Sequence, residues 1–243
     1  MVDGLFIRSL LLAFFFKLFP DIIRDGRVFI AEPPLYRVDD KKNPFVINKK
    51  DYIDRYVREA SKHYKLGYQI DDKGIETKYL NKSDWGEFLD ETSGYVDEIL
   101  ALVNHYKVND RLIELILEEF AMNFNMDDKD IVKMIESINI QKLIDRINIE
   151  FPELYYDDKD QLIKGAIDGK WQMIEISSQL IRKAKDLIKI MQHWLPMDGS
   201  EMVLKDVKTA SEHHLSLLGI LKILKKYQPV IVHRFKGLMA RPF

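Results

Sequence analysis

The sequence predicts an α/β fold whose large middle region is mainly α-helical and contains one β-hairpin. Three observations predict this fold class. Short β-prone runs lie near both ends of the chain, at 27–31 and 230–232. Apolar residues in the middle recur with helical spacing. Finally, Asp168-Gly169 separates two further β-prone runs, which is typical of a tight hairpin turn.

The composition is that of an ordinary globular protein. Of the 243 residues, 47% are hydrophobic and 31% are charged, and the formal net charge is −2. One or two domains are therefore expected. The absence of cysteine excludes disulfide bonds, thiolate zinc sites and cysteine nucleophiles. We expect a cytoplasmic protein that does not enter a membrane.

The first predicted element is a helix that begins near Leu5 and ends before Pro20. Its apolar run at 10–16 is preceded by Asp3 and followed at once by Lys17, unlike the core of a signal peptide. The run is also shorter than the roughly 20 apolar residues that span a bilayer. Because the helix is apolar nearly all round, we expect it to be buried against a β-sheet.

Extended and helical segments then alternate. The run at 27–31 predicts a strand that the prolines Pro33 and Pro34 close. Residues 35–38 continue in extended conformation. Residues 51–60, which place aromatic and aliphatic side chains on one face, predict a short helix.

The middle region predicts three helices in succession. Apolar residues three and four apart indicate helices around 96–103 and 112–120. A third helix is expected through 131–138, with Asp127 or Asp128 as its N-cap.

A hairpin and two more helices complete the predicted elements. Residues 161–167 pair with 171–176 through a type I′ turn, and the serine pair at 177–178 opens a helix. Thr209 and Glu212 match the T-x-x-E capping box of a last helix that ends before Pro229. A strand at 230–232 follows and is expected to rejoin the sheet.

Charge is distributed unevenly along the chain. From 213 to 243 there is no acidic residue, although several lysines and arginines are present. Such a basic segment is a candidate phosphate-binding surface. We expect Lys222 and Lys225 to be solvated helix-face lysines, whereas Arg234 and Lys236 remain candidates for phosphate contact.

Other candidate sites give weaker signals. The histidine pair at 213–214 would point in two directions from a helix and shows no metal-binding spacing, so a core or surface role is expected. We expect Trp85, Trp171 and Trp194 to pack in the core rather than to stack on bases. No phosphate-binding glycine loop is present.

Three ordered sequence blocks point to a family. The first, at 2–20, contains Asp3 and Gly4 followed by the apolar helix. The second, GRVFIAEPPLYR at 26–37, contains Pro33, Pro34, Tyr36 and Arg37. The third, HRFKGL at 233–238, contains Arg234, Lys236 and Gly237. Together they resemble motifs of the B-type subunits of type IIA DNA topoisomerases, the gyrase B and topoisomerase IV B proteins of bacteria and phages.

This resemblance implies a partial Toprim fold in three segments. Residues 1–66 would form the first Toprim part, and 209–243 the second. Residues 67–208 would be a large, mainly α-helical insertion with the hairpin near 161–176. The first block would then be the end of the Toprim DxDxDG motif.

The resemblance also implies a function. The chain would contribute to the DNA cleavage and religation region of an ATP-dependent enzyme that passes one duplex through another. Asp3 is the implied Mg²⁺ ligand in a reconstituted site, although an Asp before an apolar helix is also a plain N-cap. Arg234, Lys236 and Gly237 would bind DNA. ATP would enter only through an upstream domain outside this chain.

The implied partners are DNA, the upstream part of the B-type protein and the A-type subunit that carries the active-site tyrosine. The chain departs from the family pattern at both ends, as a split gene, an interrupted reading frame or a partial gene model would produce. Asp3 is the one residue of the acidic set that remains, since Met1 stands in place of the middle aspartate. We therefore expect the isolated chain to be inactive and its first helix to be loosely held. The alternative function is that of a catalytically inactive remnant that binds DNA or a partner subunit.

Overall fold

The structure is a computed structural model that describes residues 3–29, 34–69, 77–126, 130–195 and 202–235. Its α-helices are α1 (Asp3–Leu18), α2 (Pro20–Arg24), α3 (Lys49–Ala60), α4 (Lys82–Glu91), α5 (Tyr95–Tyr106), α6 (Asp110–Asn123), α7 (Ile131–Glu136), α8 (Ile140–Glu150), α9 (Ser178–Lys183), α10 (Lys185–Trp194) and α11 (Leu217–Leu224). Its strands are β1 (Tyr36–Val38), β2 (Phe45–Val46), β3 (Tyr64–Gln69), β4 (Thr77–Tyr79), β5 (Tyr155–Asp157), β6 (Leu162–Ile167), β7 (Lys170–Glu175), β8 (Met202–Asp206), β9 (Glu212–His214) and β10 (Ile231–Arg234). The predicted mixture of helices and strands is confirmed.

The chain divides into two compact units. Unit 1 comprises residues 1–56 together with 228–243, and unit 2 comprises residues 57–227. The division falls within α3. The three segments that the family resemblance implies, 1–66, 67–208 and 209–243, stay a prediction.

Unit 1 contains a three-stranded antiparallel sheet in the order β10-β1-β2. The predicted extended segment at 35–38 and the predicted strand at 230–232 are confirmed as β1 and β10. The prediction of a strand at 27–31 is wrong for residues 27–29, and residues 30–31 lie outside the described residues. Residues 27–29 form no strand and Phe29 is 88% exposed, so its β-prone side chains lack a sheet to pack on.

Helix α1 occupies the predicted place, but the prediction that it is buried is wrong. Six of its large apolar side chains are about half exposed or more, including Leu10 at 54%, Leu11 at 52% and Phe16 at 71%, whereas Leu12 and Phe15 are partly buried. The rings of Phe14, Phe15 and Phe19 pack on one another at centroid distances of 5.7–6.3 Å. A helix that is apolar on every side needs cover on every side, and this local ring cluster covers little of it. Within the described residues, no helix is both long and apolar enough to cross a bilayer.

Unit 2 is built around α6. Every residue of this helix from 112 to 121 is buried, and α5 and α10 pack against it. The predicted helices around 96–103, 112–120 and 131–138 are confirmed as α5, α6 and α7. The N-cap of α7 is Asp130, whose carboxylate accepts the Lys133 backbone N–H, so the predicted cap at Asp127 or Asp128 is wrong.

Unit 2 also contains more strand than the sequence predicts. One sheet has the order β4-β3-β8-β9 and the other the order β5-β6-β7, with antiparallel pairing throughout. In the first sheet β3 pairs with β8, which is more than 130 residues away, placing the buried Leu66 opposite the buried Leu204. Pairing over such a distance leaves no local signal in the sequence.

The predicted hairpin is confirmed as β6 and β7. Asp168 and Gly169 have φ values of 48° and 72°, as a type I′ turn requires at both central positions. Ser177 caps the next helix through a hydrogen bond from the Leu180 backbone N–H. This agrees with the predicted helix start.

The predicted capping box at Thr209 and Glu212 is wrong. The Asp206 carboxylate accepts the backbone N–H groups of Lys208 and Thr209, which fixes a tight turn. The segment then returns as β9 along β8, and the helix begins only at Leu217, with Ser216 as its N-cap. The histidines at 213–214 lie on β9 and are exposed, not on a helix.

Two of the three tryptophans are buried as predicted. Trp85 is 4% exposed and Trp194 is 7% exposed. The prediction is wrong for Trp171, which is 63% exposed on β7.

Candidate nucleic-acid interface

The second and third sequence blocks meet as neighbouring strands. In the register of β1 and β10, Tyr36 lies opposite Arg234 and Arg37 lies opposite His233. The Phe235 backbone N–H continues the pairing by donating to the Leu35 carbonyl at 3.0 Å. Residues almost 200 positions apart in sequence therefore lie side by side in one sheet.

The sheet distributes these residues over two faces. Side chains alternate along a strand, and cross-strand partners lie on the same face. The Arg37 face thus contains Arg37, His233, Phe45 and Phe235, whose ring lies 6.1 Å from that of Phe45. The Tyr36 face contains Tyr36, Arg234 and Val46. Arg37 and Arg234 consequently point to opposite sides of the sheet.

On the Tyr36 face, aromatic residues position Arg234. Its guanidinium carbon lies 5.8 Å from the centroid of the Tyr36 ring, within cation–π range. The Tyr36 ring in turn contacts the Tyr52 ring of α3 at 6.0 Å. The Tyr52 hydroxyl donates to the Pro229 carbonyl at 3.0 Å, just before β10. Burial raises the pKa of Tyr52, while Gln228 and Arg234 oppose that shift.

A buried arginine that sequence reasoning missed holds the opposite edge of the sheet. Arg55 of α3 is 5% exposed and forms a two-pronged ion pair with Asp51, at 3.0 Å for both contacts. It also donates to the Phe45 carbonyl at 2.6 Å and to the Asn43 carbonyl. The i,i+4 spacing of Asp51 and Arg55 was the available signal. This contact fixes the β1–β2 connection and hence the Arg37 face.

The two surface arginines are available to an anion. Arg37 and Arg234 are exposed, and neither forms an ion pair within the described part of the chain. In contrast, Lys222 pairs with Asp110 and Lys225 pairs with Asp97. Lys222 is exposed on α11, as expected, and Lys225 is exposed just after the end of that helix. Lysines that already have carboxylate partners lose part of their attraction for phosphate.

The remaining predicted site residues are not part of these three strands. Some belong to other described segments, and others lie outside the described residues. Asp3 and Gly4 are the first two residues of α1, and Pro34 precedes β1. Pro33, Lys236 and Gly237 lie outside the described residues.

The described residues do not form a complete Mg²⁺ site. Asp3 is one carboxylate, whereas Mg²⁺ usually takes carboxylates together with substrate oxygens and water. Among the residues that the structure describes, no three acidic or histidine side chains are grouped to hold a metal.

Comparison with known proteins relates the chain to one group of enzymes, although no family model matches it. It is 32% identical over 171 residues to the B subunit of the type 2 topoisomerase of Aquifex aeolicus, covering 65% of this chain and 20% of that protein. It is 31% identical over 144 residues to the B subunit of the DNA gyrase of Helicobacter pylori, covering 58% and 17%. It is 46% identical over 54 residues to the B subunit of DNA topoisomerase 4 of Haemophilus influenzae, covering 21% and 8%.

The chain therefore spans about a fifth or less of the length of these relatives. Even so, the matches extend over about 60% of the chain at about 30% identity. The resemblance stated from the three sequence blocks is thereby confirmed.

Proposed function

Because this chain is a relative of the B subunits of type IIA DNA topoisomerases, we propose that it contributes DNA-binding residues to the cleavage and religation region of such an enzyme. In this proposal the region is of the Toprim type and acts in the cytoplasm. It works with an upstream part of the B-type protein, which brings ATP binding, and with an A-type subunit that supplies the active-site tyrosine. Mg²⁺ would require carboxylates in addition to Asp3.

The observation that carries the proposal is the pairing of β1 with β10. Two blocks that resemble one family, separated by most of the chain, form neighbouring strands of one sheet, which carries one exposed arginine on each face. Arginine side chains bind phosphate through planar, multiply hydrogen-bonding contacts. Phosphate contacts of this kind position a duplex without reading its sequence.

The aromatic contacts give the arginines different constraints. Arg234 is held over the Tyr36 ring, which restricts its side chain before DNA binds. Arg37 lies beside Phe45, which is 50% exposed, and His233, which is exposed. Since the two arginines lie on opposite faces, we expect them to contact different phosphates and to contribute independently.

The first prediction tests these contacts by salt dependence. The double substitution Arg37→Ala, Arg234→Ala is expected to weaken duplex binding and to reduce the slope of log K against log salt by about two, since each lost phosphate contact removes about 0.9. Fluorescence anisotropy with a labelled duplex at several salt concentrations measures both quantities. Lys236→Ala, which removes the other residue that the family motif implies, should reduce the slope by about one.

Arg182→Ala is the matched control. This arginine is exposed on α9 of unit 2 and lies outside the β1–β10 surface. Its removal should leave the slope nearly unchanged. An unchanged slope in the double variant, or an equal loss in the control, would assign Arg37 and Arg234 to structure rather than to DNA binding.

A further inference from the structure

The exposed Trp171 lies at a cleft in unit 2. The cleft has a volume of about 410 Å³, which is within the size range of small-molecule sites. It is formed by the turn between α5 and α6, at 107–109, and by the tip of the β6–β7 hairpin, at 167–172. None of these residues belongs to β1 or β10, for which DNA binding is proposed.

A buried glutamine joins the two walls of the cleft. Gln172 is 6% exposed, and its Oε1 accepts the Asn109 backbone N–H at 2.8 Å. Its Nε2 donates to the Lys170 carbonyl at 3.0 Å. The Oε1 contact therefore holds the helix turn against the hairpin, while the Nε2 contact fixes the side chain within the hairpin. The cleft is a built feature of the fold rather than a gap between loose loops.

The side chains at the rim combine an aromatic ring with positive charge. Trp171 is 63% exposed, and both Lys107 and Lys170 are exposed beside it. Neither lysine forms an ion pair with another described residue. The one carboxylate of the lining is Asp168, so the side chains of the cleft carry a net charge of about +1.

We propose that this cleft binds one unpaired nucleotide, whose base stacks on Trp171 and whose phosphate lies between Lys107 and Lys170. An exposed tryptophan offers a flat surface to any base, and lysines neutralise the phosphate as point charges. A base inside a duplex is already stacked on its neighbours and cannot use the ring. The ligand is therefore a free nucleotide or an unpaired position in a strand.

The experiment compares these two sources on the full chain. Binding of a labelled oligothymidylate of about ten nucleotides, within the usual site size of single-strand binding domains, is measured by anisotropy. Thymidine monophosphate is measured by calorimetry. Saturable binding of either probe supports the proposal if Trp171→Ala weakens it about five- to a hundredfold. A loss of this size corresponds to the stacking energy of one base on an aromatic ring. Trp171→Phe should retain most of the affinity.

Charge variants test the phosphate position. Lys107→Ala together with Lys170→Ala should reduce the salt slope for the oligonucleotide by about one, since single strands lose about 0.7 per contact. Asp168→Asn should tighten binding several-fold, because it removes a repelling charge and asparagine tolerates the positive φ of this turn position. Circular dichroism checks that each variant is folded.

Three outcomes would overturn the proposal. One is that neither probe binds. Another is that Trp171→Ala weakens binding of a blunt duplex as much as binding of the oligothymidylate. The ring would then not contact an unpaired base. The last is that Tyr155→Ala, a matched change at a 48% exposed ring of the same sheet outside the cleft, has an equal effect. The arginine variants of the β1–β10 surface provide the comparison that separates this site from the duplex-binding one.

Discussion

Glu114 shows how a single residue is held in the core of unit 2 despite its charge. It is fully buried on α6, and Oε1 accepts the Leu218 backbone N–H at 2.6 Å at the start of α11. Arg111 donates to its other oxygen at 2.8 Å and also pairs with Glu118 and Glu150. Burial raises the pKa of Glu114, while Arg111 opposes that shift.

Two substitutions at Glu114 are expected to differ in cost. Glu114→Ala leaves the Leu218 N–H without an acceptor and should lower the free energy of unfolding by about 3–5 kcal/mol. Glu114→Gln keeps that acceptor, and Arg111 keeps its other carboxylates, so the loss should be about 1–2 kcal/mol.

Because the folded-state pKa of Glu114 is raised, the wild type loses stability as pH rises from about 4.5 through that higher pKa. The cost of Glu114→Gln should therefore shrink between pH 4.5 and pH 7.

Urea unfolding of the three proteins at both pH values measures these differences. Arg182→Ala at an exposed position serves as the control and should change stability by less than about 0.5 kcal/mol. Equal losses for the Ala and Gln variants, constant with pH, would contradict this account of Glu114.

The residues of the candidate site differ in how far sequence could predict them. Tyr36, Arg37 and Arg234 were identified because they belong to family motifs. Their separation onto two faces was not predictable, since it depends on the register of β1 against β10. The positioning role of Arg55 was also missed, because its carbonyl acceptors lie in a connection whose path only the folded chain defines.

At the scale of elements, local chemistry was predictable and distant pairing was not. Asp168-Gly169 specifies its hairpin because both residues tolerate positive φ. The T-x-x-E pattern at 209–212 misled because the same residues also suit a turn, and pairing with β8 decided between the two. Strands β3 and β8 went unrecognised because each finds its partner far away in sequence.

The exposed apolar surface of helix α1 leads us to expect self-association in solution. Its exposed leucines and phenylalanines are expected to cause concentration-dependent association. Leu11→Lys together with Phe16→Lys should weaken that association at least tenfold, since burying each such side chain is worth roughly 1.5–3 kcal/mol. Sedimentation velocity over a range of concentrations measures the effect. Ile149→Lys, at an 82% exposed site on α8, is the control, and an equal change there would locate the association elsewhere.

At the scale of the molecule, the two units differ in the size of their cores. In unit 2 the helices α5, α6 and α10 bury long apolar faces, whereas α2 buries no residue and α1 is largely exposed. Amide hydrogen exchange should therefore be at least a hundredfold faster in α1 than in α6, because local opening of α1 exposes little additional apolar surface. Mass spectrometry of peptides from the monomeric chain tests this difference. Equal protection in the two helices would show that α1 is as firmly held as the core.

The pairing of β1 with β10 also sets an order of events during translation. Tyr36 leaves the ribosome long before Arg234, so β1 waits for its neighbour while almost 200 residues are made. At typical synthesis rates that wait is on the order of ten seconds or more. Unit 2 lies entirely within the interval and contains its own core, so it has time to fold first. The pairing of β1 with β10 then forms after unit 2, and a nascent chain that ends before β10 would contain a folded unit 2 without this pairing.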